Sequence, residues 1–234
     1  MRGGFRALSV FLLATLWLVP LSPTVVEARD RSYVSSTQLP PQLLPPPPAE
    51  GDAAWRVQVD AVLAAQKHIP DADIAAMRDE QHMRLSLMTD VMGADFTRDR
   101  LPKTYALLDR VLADANDVTD ADKTFWHTRR PYLTDAHVKL LVDPIDKSPA
   151  YPSGHTSETR VRAEVLGLLS PDHLAALRAH AEVIAAHRVE AGVHHPNDLE
   201  GGRLLAMLIV GALIENADFQ TDLAAARAEI AERK

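Results

Sequence analysis

The chain is 234 residues long, 47% hydrophobic and 24% charged, a composition that fits one globular domain and excludes collagen-like, coiled-coil or wholly disordered chains. Acidic residues outnumber basic ones by 32 to 25, for a net charge of −7, the wrong balance for a protein whose partner is a nucleic-acid backbone. Cysteine is absent, which removes disulfides, thiolate metal sites, iron–sulfur clusters and cysteine nucleophiles together and leaves catalysis to oxygen and nitrogen groups.

Arg2 and Arg6 open the chain, an apolar run follows from Ala7 to Leu21, and Val26-Glu27-Ala28 closes the segment. This order of charge, apolar run and small residues predicts a secretory signal peptide over residues 1–28, cleaved after Ala28. The apolar run falls short of the roughly twenty residues a bilayer span needs. The mature chain is therefore expected to be exported, periplasmic or secreted, with no membrane segment. Residues 29–50 are polar and then proline-rich, ending Leu43-Leu44-Pro45-Pro46-Pro47-Pro48, a composition that favours extended backbone. Residues 51–234 form the expected folded domain.

Past Asp52 the punctuation and period are helical, and no stretch alternates as a half-buried strand does. The expected fold is all-α, a compact helical bundle. One helix is predicted from Asp52 to about Lys67 and a second from about Asp73 to Val91, stopping near Gly93. Lys103 to Ala115 and Asp120 to Thr128 read as two more, the latter halted by Pro131, which places Arg130 at a helix exit. Ser170, Pro171 and Asp172 make a strong helix start, and Gly192 a stop. Within that helix Leu174, Leu177, Ala181, Ile184 and Arg188 share one face, so a guanidinium lies on the apolar stripe. Buried there, Arg188 needs a carboxylate or a bound anion. The last strong helix starts near Pro196; Leu204 to Ile214 is apolar all round, which predicts the central helix of the bundle.

Three stretches carry chemistry. Lys123 is followed by six residues and Arg130-Pro131, a spacing close to two helical turns. Pro152-Ser153-Gly154-His155 leads into a helix. Arg188 is followed by five residues and His194, then three and Asp198. This ordered set, Lys-x6-Arg-Pro, Pro-Ser-Gly-His, Arg-x5-His-x3-Asp, resembles the type 2 phosphatidic acid phosphatase superfamily, which also includes the vanadium haloperoxidases. The chain is most similar to the bacterial class A non-specific acid phosphatases. The proline-rich stretch, Tyr151-Pro152-Ser153-Gly154-His155-Thr156-Ser157 and a helix opening near Asp218-Phe219 extend the likeness over nearly all of the mature chain.

The resemblance implies an acid phosphatase acting on small phosphomonoesters with broad specificity, inhibited by vanadate, with no cofactor or metal and a homodimer or larger homo-oligomer as its assembly. Lys123, Arg130 and Arg188 would surround the phosphate oxygens, Arg gripping two oxygens at once and Lys acting as a point charge. Ser153 adds a hydroxyl and Gly154 a closely approaching backbone N–H. His194 would be the nucleophile that forms a phosphohistidine, Asp198 the residue that orients it, and His155 the acid that protonates the leaving alcohol and then the base that activates water. His187 stands where the family usually has Ser, and Val193 and His195 where it has aromatic or bulky residues. Trp126, His127 and Tyr132 are candidates for a leaving-group pocket. Other readings of the same residues are a vanadate-binding haloperoxidase-like enzyme, a non-catalytic phosphate-binding module, and a metal site built from His187, His194, His195 and Asp198.

Overall fold

A computed structural model describes residues 32–144 and 148–232. The predicted signal peptide over residues 1–28 lies outside the described residues. In chain order the α-helices are α1 (Ala53–Ala65), α2 (Asp71–Glu80), α3 (Ser86–Thr89), α4 (Pro102–Trp126), α5 (Pro131–Thr134), α6 (Gly154–Leu169), α7 (Leu174–Glu190), α8 (Pro196–Glu215) and α9 (Ala217–Ala231), with no strand among the described residues. The architecture is all-α, as the periodicity requires.

Three boundaries differ from those the sequence suggests, each for a tertiary reason. The helix expected from Asp73 to Val91 breaks after Glu80 at a turn where Met83 adopts φ +49°, and the Arg162 guanidinium holds that turn by donating to the Met83 and Arg84 carbonyls at 3.0 and 3.2 Å. The two helices expected over Lys103–Ala115 and Asp120–Thr128 are one, α4. Its middle survives because Asp114, Ala115, Val118 and Thr119 are all buried, so packing overrides the weak local propensity of Asn116-Asp117. It ends at His127, which takes a left-handed conformation at φ +50°. Arg130 therefore sits in extended backbone ahead of α5, not at the exit of a helix carrying Lys123.

The central helix is α6, not α8. It packs against α4, α7, α8 and α9, and Val161, Ala163, Val165 and Leu166 on it are fully buried. On α8 the apolar residues go all round, but Leu204, Met207 and Ile214 are each 47% exposed. The inner face of α8 presses on α6 so closely that a Cβ at Gly202 would stand 2.7 Å from the Ser153 carbonyl oxygen. Only a glycine allows that approach, and it fixes α8 against the start of α6. At the end of α7, Gly192 has φ +76°, where its N–H closes onto the Val189 carbonyl and turns the chain from Arg188 toward His194.

Residues 32–50 lie along the bundle. The Tyr33 and Val34 amides donate to the Asp114 carboxylate at 2.7 and 3.1 Å, the Arg110 guanidinium stands 3.6 Å over the Tyr33 ring, and Leu39 and Leu44 are buried. Farther on, the Tyr151 hydroxyl donates to the Pro45 carbonyl at 2.7 Å. The proline-rich stretch thus touches the residue that precedes Pro-Ser-Gly-His.

Candidate active site

The three sequence motifs meet where the N-termini of α6 and α8 come together with the ends of α4 and α7. Ser153 caps α6: its Oγ accepts from the Thr156 amide at 3.4 Å and the Thr156 hydroxyl at 3.0 Å, which leaves its own O–H proton to donate. Its backbone N–H donates to the Asp198 carbonyl at 2.9 Å, so the second and third motifs are tied directly. Asp198 lies in the first turn of α8, where the helix dipole favours a carboxylate.

Lys123 and Arg130 do come together, but by reaching one loop and not by sharing a helix face. The Lys123 ammonium donates to the Pro149 and Ala150 carbonyls at 2.7 and 3.4 Å. Arg130 donates through Nε to Ser148 O at 2.9 Å and through Nη2 to Pro149 O at 3.3 Å. Its Nη1 reaches Val193 O at 3.0 Å and His194 Nε2 at 3.2 Å. Burial, reinforced by the charge of Arg130, lowers the Lys123 pKa to about 7, and burial lowers that of Arg130 to about 10.

Arg188 is completely buried. Its Nη2 donates to Met77 O at 3.0 Å and to Glu80 Oε2 at 3.1 Å. Its Nε and Nη1 have no partner among the described residues. A guanidinium carries five N–H groups, so with Nη2 engaged three donors remain unpaired in a buried place, which is costly unless an anion takes them. His155 Nε2 is likewise enclosed and unpartnered.

His194 is sealed in, 2% exposed. Its Nδ1 faces Asp198 Oδ2 at 3.2 Å, which fixes the tautomer with the proton on Nδ1 and the lone pair on Nε2, the nitrogen that receives the Arg130 N–H. Burial first, then the charge of Arg130, lowers the His194 pKa to about 3 in spite of Asp198. Asp198 is pushed up by burial, but the hydrogen-bonding side chains of His194 and His195 outweigh that and hold it below the usual carboxylate range, and the His195 amide also donates to it at 2.8 Å. The His155 pKa falls well below its ordinary value through burial, then the charges of Arg188, His194 and Arg130.

The remaining sequence candidates sort as follows. Gly154 has room for a Cβ, which would meet Glu158 Oε1, Lys123 Cε and Thr119 Cγ2 at an ordinary 3.7 Å, so the protein itself does not demand glycine there. Trp126 and His127 line a cavity of about 370 Å³ with Pro48, Trp55, His195 and Asp198. Of the motif residues Asp198 lines it; Arg188, His155 and Tyr132 are not among its walls. The metal set is divided: His187 Nδ1 is 2.9 Å from each oxygen of Glu80, while His194 is turned to Asp198.

Two acidic residues were not legible from the motifs. Glu80 supplies the carboxylate that a buried Arg188 requires; the requirement could be read from the stripe, the identity could not. Glu158 stands one turn beyond Gly154 beside Lys123, paired with Arg162 at 3.5 Å, and burial, opposed by Arg162, raises its pKa to about 7.

Residues 106–221, which hold all three motifs, match the model of the PAP2 superfamily. The chain is 28% identical to an acid phosphatase of Zymomonas mobilis over 90% of its own length and 84% of that relative. It is 26% identical to a non-specific acid phosphatase of Providencia stuartii over 99% of its length and 96% of the relative, and 28% identical to one of Salmonella typhi over 80% and 78%.

Proposed function

This chain belongs to the PAP2 superfamily and is a phosphatase of the acid phosphatase kind, and from that premise we propose that it hydrolyses phosphomonoesters, without a metal, through a phosphohistidine at His194. The observation that carries this reading is the set of unpaired buried polar atoms, Arg188 Nε and Nη1 with His155 Nε2, beside a neutral imidazole backed by a carboxylate. The polar atoms of a phosphate complete what the protein leaves unsatisfied.

In the first half-reaction the His194 Nε2 lone pair attacks phosphorus as the bond to the leaving oxygen breaks, and His155 gives that oxygen a proton. In the second, water attacks phosphorus, His155 takes the proton of that water, and the P–N bond breaks to restore His194. Lys123, Arg130, Arg188 and Ser153 hold the non-bridging oxygens as charge redistributes, supplying by fixed cations the positive charge the transfer needs. Arg130 donates an N–H to the His194 lone pair and must turn that N–H to the incoming phosphate.

The titration of the site suits acidic conditions. His194 is neutral above a pKa of about 3 and Lys123 is cationic below about 7, so nucleophile and cradle coexist between those values. His155 is held neutral first by burial and then by the charges of Arg188 and Arg130. A phosphate dianion entering among them opposes that effect and raises the proton affinity of His155 as it becomes the acid. Export through the segment at residues 1–28 belongs to the same reading and rests on sequence.

Hydrolysis of a simple aryl phosphate by the purified protein, with and without vanadate, tests the proposal against His194→Ala. Vanadate-sensitive hydrolysis that disappears in the variant is expected. Full activity in His194→Ala would overturn the mechanism, and absence of hydrolysis by the native chain would overturn the phosphomonoester substrate.

A further inference from the structure

Arg188 does not own its counter-ion. Glu80 lies at the end of α2, and its carboxylate is shared: Oε2 accepts from Arg188 Nη2 at 3.1 Å, while both oxygens lie 2.9 Å from His187 Nδ1. All three side chains are buried, with residue exposures of 0% for Arg188, 6% for Glu80 and 8% for His187. Neighbours on one helix thus compete for one acid on another.

The acid cannot retreat from this competition. The turn after Glu80 is pinned to α6 by Arg162 through the Met83 and Arg84 carbonyls, and Gln81 exchanges two hydrogen bonds with the backbone of Asp143. Arg188 is fixed as well, since its Nη2 also donates to Met77 O. With the turn after Glu80 and the Arg188 guanidinium both held by these hydrogen bonds, the proton on His187 is the variable of the group that pH changes.

We propose that Glu80 is a positioning residue shared between Arg188 and His187, and that the proton on His187 sets how much of the charge of Arg188 remains available to a phosphomonoester. With His187 protonated the trio carries a net charge of +1, and Glu80 is satisfied from two sides. With His187 neutral the trio carries none, and the full carboxylate charge faces Arg188 and, behind it, the incoming phosphate. The proton is therefore a cation delivered to the phosphate site from outside it, and it is lost as pH rises.

The charged groups around His187 support this sign. Its hydrogen bond to Glu80, which outweighs its burial, raises its pKa, with the charges of Glu80 and Glu190 adding and that of Arg188 opposing. On α6, His155 faces the trio through a hydrogen bond with the Glu80 backbone and the charge of Arg188. Lys123 loses its own proton near pH 7 on α4, but it does so whatever stands at 187, so the ratio of variant to native protein isolates His187.

This inference rests on the phosphatase reading, and its test separates the two. The measurement is the inhibition constant of inorganic phosphate, with KM and kcat for an aryl phosphate, from about pH 5 to about pH 8.5 in the native protein and in His187→Gln, whose amide still donates to Glu80 but never carries charge. Native binding is expected to weaken by about tenfold more than that of the variant over this range, the effect of one charge felt through partly screened protein. The variant should bind as weakly at acid pH as its neutral trio dictates, with the difference in KM and not in kcat. Parallel pH profiles of the inhibition constant in the two proteins would overturn the inference while leaving the phosphatase reading intact. A second readout is the nuclear magnetic resonance titration of His187: saturating phosphate must raise its pKa, because the coupling is reciprocal. An unchanged His187 pKa on phosphate binding would also overturn it.

Discussion

The two walls of the proposed phosphate site are built on opposite plans. On one, Lys123 and Arg130 turn their donors to the carbonyls of residues 148–150 and 193, so their charges are present while much of their hydrogen bonding is spent on backbone. On the other, Arg188 keeps Nε and Nη1 unpaired in a fully buried position and leans on a single carboxylate. The first wall is satisfied without ligand and supplies mainly field. The second is incomplete without ligand and supplies directed donors. Directed donors lose the most when removed, because a buried site cannot replace them with water.

This difference can be broken from either side. The largest effect is expected at Arg188→Lys, which keeps the charge but loses the fork: kcat/KM for an aryl phosphate should fall by about 10²–10³. A fall below tenfold would mean that Arg188 also acts mainly as field. Lys123→Met should cost less, about tenfold to hundredfold in kcat/KM at acid pH, with the penalty shrinking above pH 7. The sign follows from the lowered pKa of about 7: the native ammonium is charged below that value and already neutral above it. A penalty that stays constant to about pH 9 would contradict it.

The smallest effect concerns stability at the second wall. The folded-state pKa of His187 is raised by Glu80, so the pair's contribution is fully present below the unfolded value of about 6.5 and is lost as pH rises through the folded value. His187→Ala should therefore lower the melting temperature more at about pH 5 than at about pH 9. An equal loss at both would leave His187 a packing residue only.

How much of this could be read in the sequence depended on whether the cause was local. The start of α6 at Gly154, the turn at Gly192 and the start of α8 at Pro196 follow from caps, glycine and proline, and the motif residues assemble because those helix ends meet. The unity of α4 was hidden because buried side chains such as Val118 override a weak stretch near Asn116. The left-handed turn at Met83 was hidden because a guanidinium from α6 imposes it. Composition does not separate α8 from a central helix, since an apolar helix with Leu204, Met207 and Ile214 half exposed has the same make-up as a buried one. For the site, the stripe of α7 demanded an acid opposite Arg188, and only the fold could say that it is Glu80 and that His187 shares it.

The central claim is that phosphorus is transferred to His194 Nε2 at this pair of walls. The direct measurement is rapid acid or alkaline quench of the native protein with an aryl phosphate labelled on phosphorus, followed by peptide mapping. A labelled, acid-labile and alkali-stable phosphate on the peptide containing His194, formed within one turnover and absent in His194→Ala, is the predicted result. Label on another residue, or turnover with no covalent label under either quench, would contradict the account.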